Sequence, residues 1–302
     1  MLKKYIREEV IKDSLFSVES EMMSIKESIL AQMIIEGVDD PGILKCVFMA
    51  GGPGSGKSFT AMEIFGIDKK LKSSFSATGL KSVNSDAAFE AGLKKHGIDP
   101  KDLARIEKED AELWDKITGV GSLTARQSRP KRNPKTGKFD MQVGLGSDKF
   151  KQSIRGRAKA ITDKQKKFYE AGRLGMIIDG TGHRYDKISK LKKHAESLGY
   201  DCYMVFVNTS LKVAQERNQN RDRVLPEDLL AKSWQDVQDN LGKFQNLFGG
   251  NFRIVDNTVY RPIAKEVQKA VNKFVRKPVY NKIGQRWVKN AKALKKAGYI
   301  RK

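Results

Sequence analysis

Residues 45–59 read Lys45-Cys46-Val47-Phe48-Met49-Ala50-Gly51-Gly52-Pro53-Gly54-Ser55-Gly56-Lys57-Ser58-Phe59. The first six residues form an apolar run typical of a buried strand, and the next eight match the pattern G-x-x-x-x-G-K-[ST] in full. Helical character follows over Ser58–Ile64. This order predicts a phosphate-binding loop, because its glycines let backbone N–H groups converge on an anion at the N-terminus of the helix.

The phosphate-binding motif predicts a role for individual side chains. Lys57 is expected to bridge the β- and γ-phosphates of a nucleoside triphosphate, and the Ser58 hydroxyl to ligate Mg²⁺. Asp179 ends a later apolar run and is the second candidate Mg²⁺ ligand. It could hold the ion through water, or it could orient the acceptor instead. The alternative is a structural role as a turn or capping residue. The predicted nucleotide-binding residues are Gly51, Gly52, Pro53, Gly54, Ser55, Gly56, Lys57, Ser58 and Phe59.

Strand-like and helical segments alternate along the rest of the chain. Apolar runs at 81–84, 175–178, 202–207 and 252–255 follow the first one, and helical stretches are predicted over Asp102–Ile117, Asp186–Leu198, Leu211–Gln219 and Pro226–Asn246. Such alternation predicts βαβ units, and the apolar runs suit a sheet covered on both faces. We therefore expect an α/β, three-layer P-loop sandwich with about five parallel strands.

Composition shifts suggest three parts. Residues 1–40 are predicted to be an N-terminal helical segment, and residues 41–275 the P-loop domain. A polar, basic insertion at about 122–157 interrupts that domain. Residues 276–302 form a basic tail with interleaved aromatic residues.

The charge of the chain is uneven. Lys and Arg number 58 against 36 Asp and Glu, a formal net charge of +22. Residues 122–173 contain 15 basic and four acidic side chains, and residues 261–302 contain 14 basic and one. Two concentrated basic segments indicate a polyanionic partner, nucleic acid or a nucleotide, against the simpler interpretation of a solvated basic surface. Tyr280, Trp287 and Tyr299 are candidates for stacking on bases.

Other classes of protein fit less well. No apolar run approaches the length of a membrane helix, and no signal-peptide core follows Met1, so we expect a cytoplasmic protein without a membrane partner. Two cysteines, Cys46 and Cys202, are too few for a disulfide framework or a zinc cluster, and both lie in apolar runs typical of buried, reduced thiols. The sequence leaves the oligomeric state open.

Asp86 is the candidate general base. It follows the second predicted strand, which in a parallel sheet places it at the carboxyl ends of the strands beside the phosphate-binding loop. There a carboxylate can take the proton of an acceptor hydroxyl. The alternative, which is compatible with this role, is an N-cap for a helix beginning at Ala87.

An arginine-rich segment is the candidate lid. Arg217 and Arg221 are spaced to share a helix face, and Arg223 follows directly. Guanidinium groups held over a transferring phosphoryl group stabilise its charge, and the alternative is a solvated basic helix. No strand ends in two consecutive acids, which favours transfer to an acceptor over hydrolysis.

These motifs, taken in order, resemble the zeta-toxin and polynucleotide-kinase group of P-loop kinases over about residues 41–275. The resemblance implies an ATP-dependent kinase with a five-stranded parallel core and a closing lid. It matches Asp86 to the acid that activates the acceptor, Asp179-Gly180-Thr181 to the Glu-Gly-Thr of the family, and Arg217, Arg221 and Arg223 to the lid.

Three functions remain open at this point. The leading one is an ATP-dependent kinase acting on a hydroxyl of nucleic acid, either a polynucleotide end or a hydroxylated base, or of a nucleotide. The second is a nucleotide-sugar kinase like the zeta toxins. The third, from another class, is a nucleic-acid-stimulated ATPase or binding protein.

Overall fold

A computed structural model describes residue 38 and residues 42–66, 76, 78–119, 148–220, 224–225, 227–259 and 265–296. The predicted N-terminal helical segment therefore lies outside the described residues, apart from Val38. So do residues 120–147 of the basic insertion, Arg221, Arg223 and Tyr299.

Five strands form one parallel sheet. They are β1 Lys45–Ala50, β2 Lys81–Val83, β3 Met176–Asp179, β4 Asp201–Asn208 and β5 Phe252–Asp256, and their order in the sheet is β2-β3-β1-β4-β5. Every neighbouring pair is parallel. Each predicted apolar run is a strand, displaced by at most one residue at an end, so the α/β parallel fold is confirmed. The loop of residues 51–56 follows the central strand β1.

Helices connect the strands and cover the sheet. In chain order they are α1 Lys57–Phe65, α2 Ser85–Lys95, α3 Leu103–Glu109, α4 Ala111–Thr118, α5 Asp148–Gln152, α6 Ile154–Gly172, α7 Tyr185–Ser197, α8 Leu211–Gln219, α9 Glu227–Gln238, α10 Leu241–Phe248, α11 Lys265–Arg276 and α12 Lys282–Lys296. In the described residues none of them combines the length and apolar character required to cross a bilayer.

The central strand β1 is buried on both faces. Cys46 and Phe48 belong to a core cluster beneath α7, α10 and α12, whereas Val47 and Met49 belong to a second cluster beneath α1 and α11. Alternate residues of a strand point to opposite faces, so β1 contributes to two cores at once. The result is three layers, helix–sheet–helix.

Two predicted helices are each divided in two. The predicted Asp102–Ile117 helix breaks at Asp110, whose backbone is not helical and whose side chain accepts from Leu113 N at 2.8 Å, capping α4. The predicted Pro226–Asn246 helix breaks between α9 and α10 at Asn240. At Asp110 a short polar side chain competes for a backbone N–H group and so favours the break. Asn240 makes no side-chain cap; its Nδ2 instead donates to Gly182 O at 3.1 Å and to His183 O at 3.0 Å.

A buried ion pair lies where β1 and β4 begin, which we call the amino edge of the sheet. Lys45 Nζ is 2.7 Å from Asp201 Oδ2, and the two side chains are 1% and 0% exposed. Burial lowers the pKa of Lys45 more than the Asp201 carboxylate raises it. Asp201 also accepts from the backbone N–H of Tyr280 at 3.1 Å and of Asn281 at 2.9 Å, so one carboxylate joins both strands to the C-terminal segment.

The C-terminal segment packs against the core through α12. Trp287 and Val288 contact the cluster beneath α7 and α10. The expectation that Trp287 stacks on bases is therefore wrong: its ring packs against the protein. Tyr280 remains exposed at 55%, but its hydroxyl accepts from Asn251 Nδ2 at 2.8 Å, and burial of its polar end raises its pKa to about 12.

Cys46 and Cys202 are direct neighbours on β1 and β4. Both are buried and free, as predicted.

Candidate active site

The loop after β1 has the backbone of an anion-binding cradle. Gly54 and Gly56 have φ angles of 74° and 77°, in the left-handed region that favours glycine. A Cβ on Gly54 would lie 2.4 Å from Ala214 O, so this position has no room for a side chain. Gly56 is the N-cap of α1, and no described side chain caps that helix. An uncapped helix N-terminus after a glycine-rich loop is suited to binding an anion.

Two side chains from distant parts of the chain hold the loop from outside. Asn257, which is buried and follows β5, donates from Nδ2 to Ser55 O at 2.7 Å. Arg217 on α8 donates from Nη1 to Gly54 O at 3.4 Å. Sequence reasoning missed Asn257, because nothing local marks an asparagine that pairs 202 positions away. Arg217 was predicted to be in the lid, and the structure places it at the loop.

Lys57 makes an ion pair with a carboxylate at the end of the strand next to β1. Its Nζ contacts Asp179 Oδ1 at the end of β3, while Asp179 Oδ2 accepts from Asn84 Nδ2 at 2.9 Å. The Lys57 and Asp179 side chains are 15% and 14% exposed. The structure therefore brings together two of the predicted site residues and adds Asn84, which the sequence analysis did not single out.

Asn84 extends this chain of contacts to Asp86. Its Oδ1 accepts from Asp86 N at 2.9 Å, so Asn84 caps α2, which begins at Ser85. The alternative role of Asp86, as the N-cap of a helix beginning at Ala87, is therefore wrong. One amide side chain thus links the Asp179 carboxylate to the backbone that carries Asp86.

The Asp86 carboxylate faces a cation from α6. Its Oδ1 accepts from Arg155 Nη1 at 2.9 Å, and the Asp86 side chain is 65% exposed. The Arg155 guanidinium also lies 4.8 Å from the centre of the Phe89 ring, a cation–π arrangement that restrains it. Arg155 belongs to the predicted basic insertion, and its pairing across 69 positions had no sequence signal.

The loop after β3 is fixed against the phosphate-binding loop. Gly51 N donates to Thr181 O at 3.0 Å, and Gly180 N donates to Met49 O at 3.1 Å. Asn240 donates from Nδ2 to the carbonyl of His183 at 3.0 Å. These contacts hold the Asp179-Gly180-Thr181 segment beside the loop of residues 51–56.

The residues at this site fit Mg²⁺ in the way that phosphate-binding proteins use it. In the described part of the chain, no group of three or more His, Cys, Asp or Glu side chains is arranged to hold a metal ion. Ser58 is exposed in the first turn of α1, and the Asp179 carboxylate contacts Lys57, the residue before it. One or two protein oxygens together with substrate phosphates form the usual Mg²⁺ site of this kind.

Comparison with protein families gives one match. Residues 46–244 match the family model described as an AAA domain. This range runs from β1 into α10 and includes Lys57, Asp86, Asp179 and Arg217. Comparison with curated proteins gives no match.

Solved structures with a similar chain course have low sequence identity. The complex of AvrRxo1-ORF1 and AvrRxo1-ORF2 with ATP is 13% identical, with a TM-score of 0.42 over 79% of this chain and 62% of that one. The PezAT chromosomal toxin–antitoxin system of Streptococcus pneumoniae is 11% identical, with a TM-score of 0.43 over 89% and 94%. A gluconokinase from Sinorhizobium meliloti is 15% identical, with a TM-score of 0.37 over 83% and 97%. The chain thus spans less than two thirds of the AvrRxo1 chain.

Proposed function

This chain belongs to the AAA domain family, and we propose that it is an ATP-dependent kinase that transfers the γ-phosphoryl group of ATP to a hydroxyl on nucleic acid or on a nucleotide. The observation that carries this proposal is the chain of contacts from Lys57 through Asp179 and Asn84 to the start of α2. It connects the phosphate-binding loop directly to the segment that carries the candidate base.

On the donor side, the backbone of residues 51–57 receives the phosphates of ATP. Lys57 exchanges its contact with Asp179 for the β- and γ-phosphate oxygens, which carry more negative charge than one carboxylate. Ser58 and the released Asp179 carboxylate would hold Mg²⁺, which neutralises phosphate charge when it is bound. Arg217 contacts Gly54 O from outside the loop, and by exchanging this contact for a phosphate oxygen it would stabilise charge on the transferring group.

On the acceptor side, Asp86 takes the proton of the attacking hydroxyl. The oxygen forms a bond to the γ-phosphorus, the bond from that phosphorus to the β–γ bridging oxygen breaks, and ADP leaves. Before this step the Asp86 carboxylate must exchange its contact with Arg155 for the hydroxyl. The exposure of Asp86, at 65% of its side chain, allows an acceptor to approach.

The charge distribution supports a phosphate-bearing acceptor. The Arg155 guanidinium is a cation in direct contact with the candidate base, and Lys159 and Arg157 lie on the same helix. The wider segment 122–173 contains 15 basic side chains against four acidic ones. Basic side chains in this density neutralise phosphate groups.

The proposal is tested by an acceptor screen with γ-labelled ATP against DNA, RNA, nucleotides and sugar nucleotides. We expect label on nucleic acid or nucleotide with the native chain, and a loss of about 10²–10⁴-fold in Asp86→Asn, which keeps the shape but not the basicity of the side chain. ATP binding by Asp86→Asn should remain unchanged.

Three other outcomes would contradict the proposal or part of it. Label on sugar nucleotides alone would identify the nucleotide-sugar kinase. Steady release of free phosphate without a labelled acceptor would identify an ATPase. Transfer at the native rate by Asp86→Asn would remove Asp86 from the role of base.

A further inference from the structure

The exposed face of α12 carries a row of cations. Lysines and an arginine recur at spacings of three and four residues, so they share one side of the helix. All are exposed. We call these residues the α12 cation row: Lys282, Arg286, Lys289, Lys292 and Lys296.

The opposite face of α12 is already occupied by the protein. Trp287 and Val288 pack on the core, and Ala291 is buried. A helix that lies in a membrane interface buries its own apolar face among lipids. In α12 that face is covered, so the accessible surface is the cation row, and the sequence of Lys282–Lys296 itself contains no acidic residue.

The start of α12 is held rigidly at the amino edge of the sheet. Asn281 donates its backbone N–H to Asp201 Oδ1 at 2.9 Å and its side-chain Nδ2 to Glu196 O at 2.9 Å. Gly284 crosses Gly199 so closely that a Cβ on Gly284 would lie 2.2 Å from Gly199 O. A surface fixed in this way binds without the entropic cost of ordering a flexible tail.

The start of the row and the candidate active site lie at opposite edges of the sheet. Asn281 contacts Asp201, which pairs with Lys45 at the first residue of β1, whereas the phosphate-binding loop follows Ala50 at its last residue. Six residues of strand span about 20 Å. A ligand that touches both Asp86 and Lys282 must therefore be extended over at least this length, which is about six base pairs of duplex.

From this geometry we infer that the α12 cation row binds the sugar–phosphate backbone of a nucleic acid, at a site remote from the candidate active site. This inference rests on the proposed function for its occupant. It narrows the acceptor to a polynucleotide long enough to reach from Asp86 to the amino edge. Shorter acceptors cannot engage the active site and the α12 cation row at the same time.

The test measures binding without catalysis, in the absence of ATP. The row variant combines Lys282→Gln, Arg286→Gln, Lys289→Gln and Lys292→Gln. A matched control removes four exposed lysines elsewhere, with Lys94→Gln, Lys101→Gln, Lys108→Gln and Lys116→Gln. Fluorescence anisotropy records the affinity of each protein for labelled duplexes of about 6 and about 24 base pairs over a range of salt concentrations. Far-UV circular dichroism checks that all three proteins are folded.

For the long duplex, the slope of log affinity against log salt should become shallower by about 3–4 in the row variant, since each lost phosphate contact removes about 0.9. The control variant should keep the native slope, and the ratio of long-duplex to short-duplex affinity should be higher for the native chain than for the row variant, because only the long duplex can engage the row and the active site together. A native slope in the row variant would overturn the inference. So would loss of binding to anionic lipid vesicles with no change for the duplex.

The two proposals fail in different ways. Row-dependent binding of the long duplex, without transfer of label to any nucleic acid or nucleotide, would refute the proposed kinase activity and keep the surface. Transfer of label to nucleic acid with equal rates for the native chain and the row variant on both duplexes would refute the surface and keep the kinase.

Discussion

A lysine and an aspartate form an ion pair at each end of β1, and the two pairs differ in exposure. Lys45 and Asp201 at the amino edge are 1% and 0% exposed, whereas Lys57 and Asp179 beside the phosphate-binding loop are 15% and 14% exposed. Asp201 is further saturated by two backbone N–H groups, while Asp179 receives one side-chain amide. The same chemistry thus fixes the fold at one edge and remains exchangeable for a ligand at the other.

The largest effect is expected from Asp201→Asn. It leaves the Lys45 ammonium buried without a counter-charge, which we expect to lower the free energy of unfolding by about 3–5 kcal/mol. Urea denaturation measures this change. Activity per folded molecule should stay native, because the pair lies at the edge away from the loop.

Asp186→Asn is the matched control for that measurement. Asp186 pairs with Arg184 at 3.1 Å, but the two side chains are 56% and 60% exposed. We expect a much smaller loss of stability than in Asp201→Asn, because water screens an exposed ion pair. Equal losses in the two variants would show that burial does not distinguish these ion pairs.

Lys57→Ala tests the opposite edge. We expect transfer to fall by about 10²–10³-fold, because a positioned cation that stabilises developing phosphoryl charge is lost. The loss of stability should be smaller than in Asp201→Asn, because water reaches the Asp179 carboxylate. Single-turnover transfer measures the change in rate, and urea denaturation measures the change in stability. A larger loss of stability than in Asp201→Asn would show that the Lys57–Asp179 pair, not the Lys45–Asp201 pair, is the structural one.

Asn84 is expected to have a smaller effect through the same carboxylate. Asn84→Ala and Asn84→Asp both remove the donor that orients Asp179, so each should lower transfer by about 10–100-fold. Only the alanine variant also loses the cap of α2, at about 1 kcal/mol of stability. Native transfer in Asn84→Asp would show that orientation of Asp179 by Asn84 is unimportant.

The smallest change in stability is expected from Arg155→Gln. Its partner Asp86 is 65% exposed, so the pair should contribute less than about 1 kcal/mol to folding. Urea denaturation checks this value. A loss above about 3 kcal/mol would place this pair with Lys45–Asp201 as a structural contact.

The sequence predicted those structural features that depend on a local pattern of residues. The loop of residues 51–58 and the five strands follow from a motif and from apolar runs, and both are read over a few consecutive residues. The helix end at Asp110 was missed because its capping side chain outweighed the helical propensity around it. The helix end at Asn240 was missed because its side chain bonds the loop after β3, a contact with a distant part of the chain.

Contacts between distant parts of the chain were not predictable in this way. Asn84, Arg155 and Asn257 each pair with residues 69 to 202 positions away, and a polar side chain carries no mark of a partner that the topology supplies. Trp287 was misinterpreted for a different reason. Its helical neighbours Val288 and Ala291 share its side of α12, and that amphipathic pattern indicated a packed helix rather than a free aromatic tail.

The two cysteines give the chain a built-in reporter of unfolding. Cys46 and Cys202 are 0% and 2% exposed, and burial raises the pKa of Cys46 well above its ordinary value, so the native thiols resist alkylation. These are the only two cysteines of the chain, so labelling by iodoacetamide follows opening of the central strands. Mass spectrometry of the alkylated chain should therefore show faster modification after Asp201→Asn and a near-native rate after Arg155→Gln, without any engineered probe.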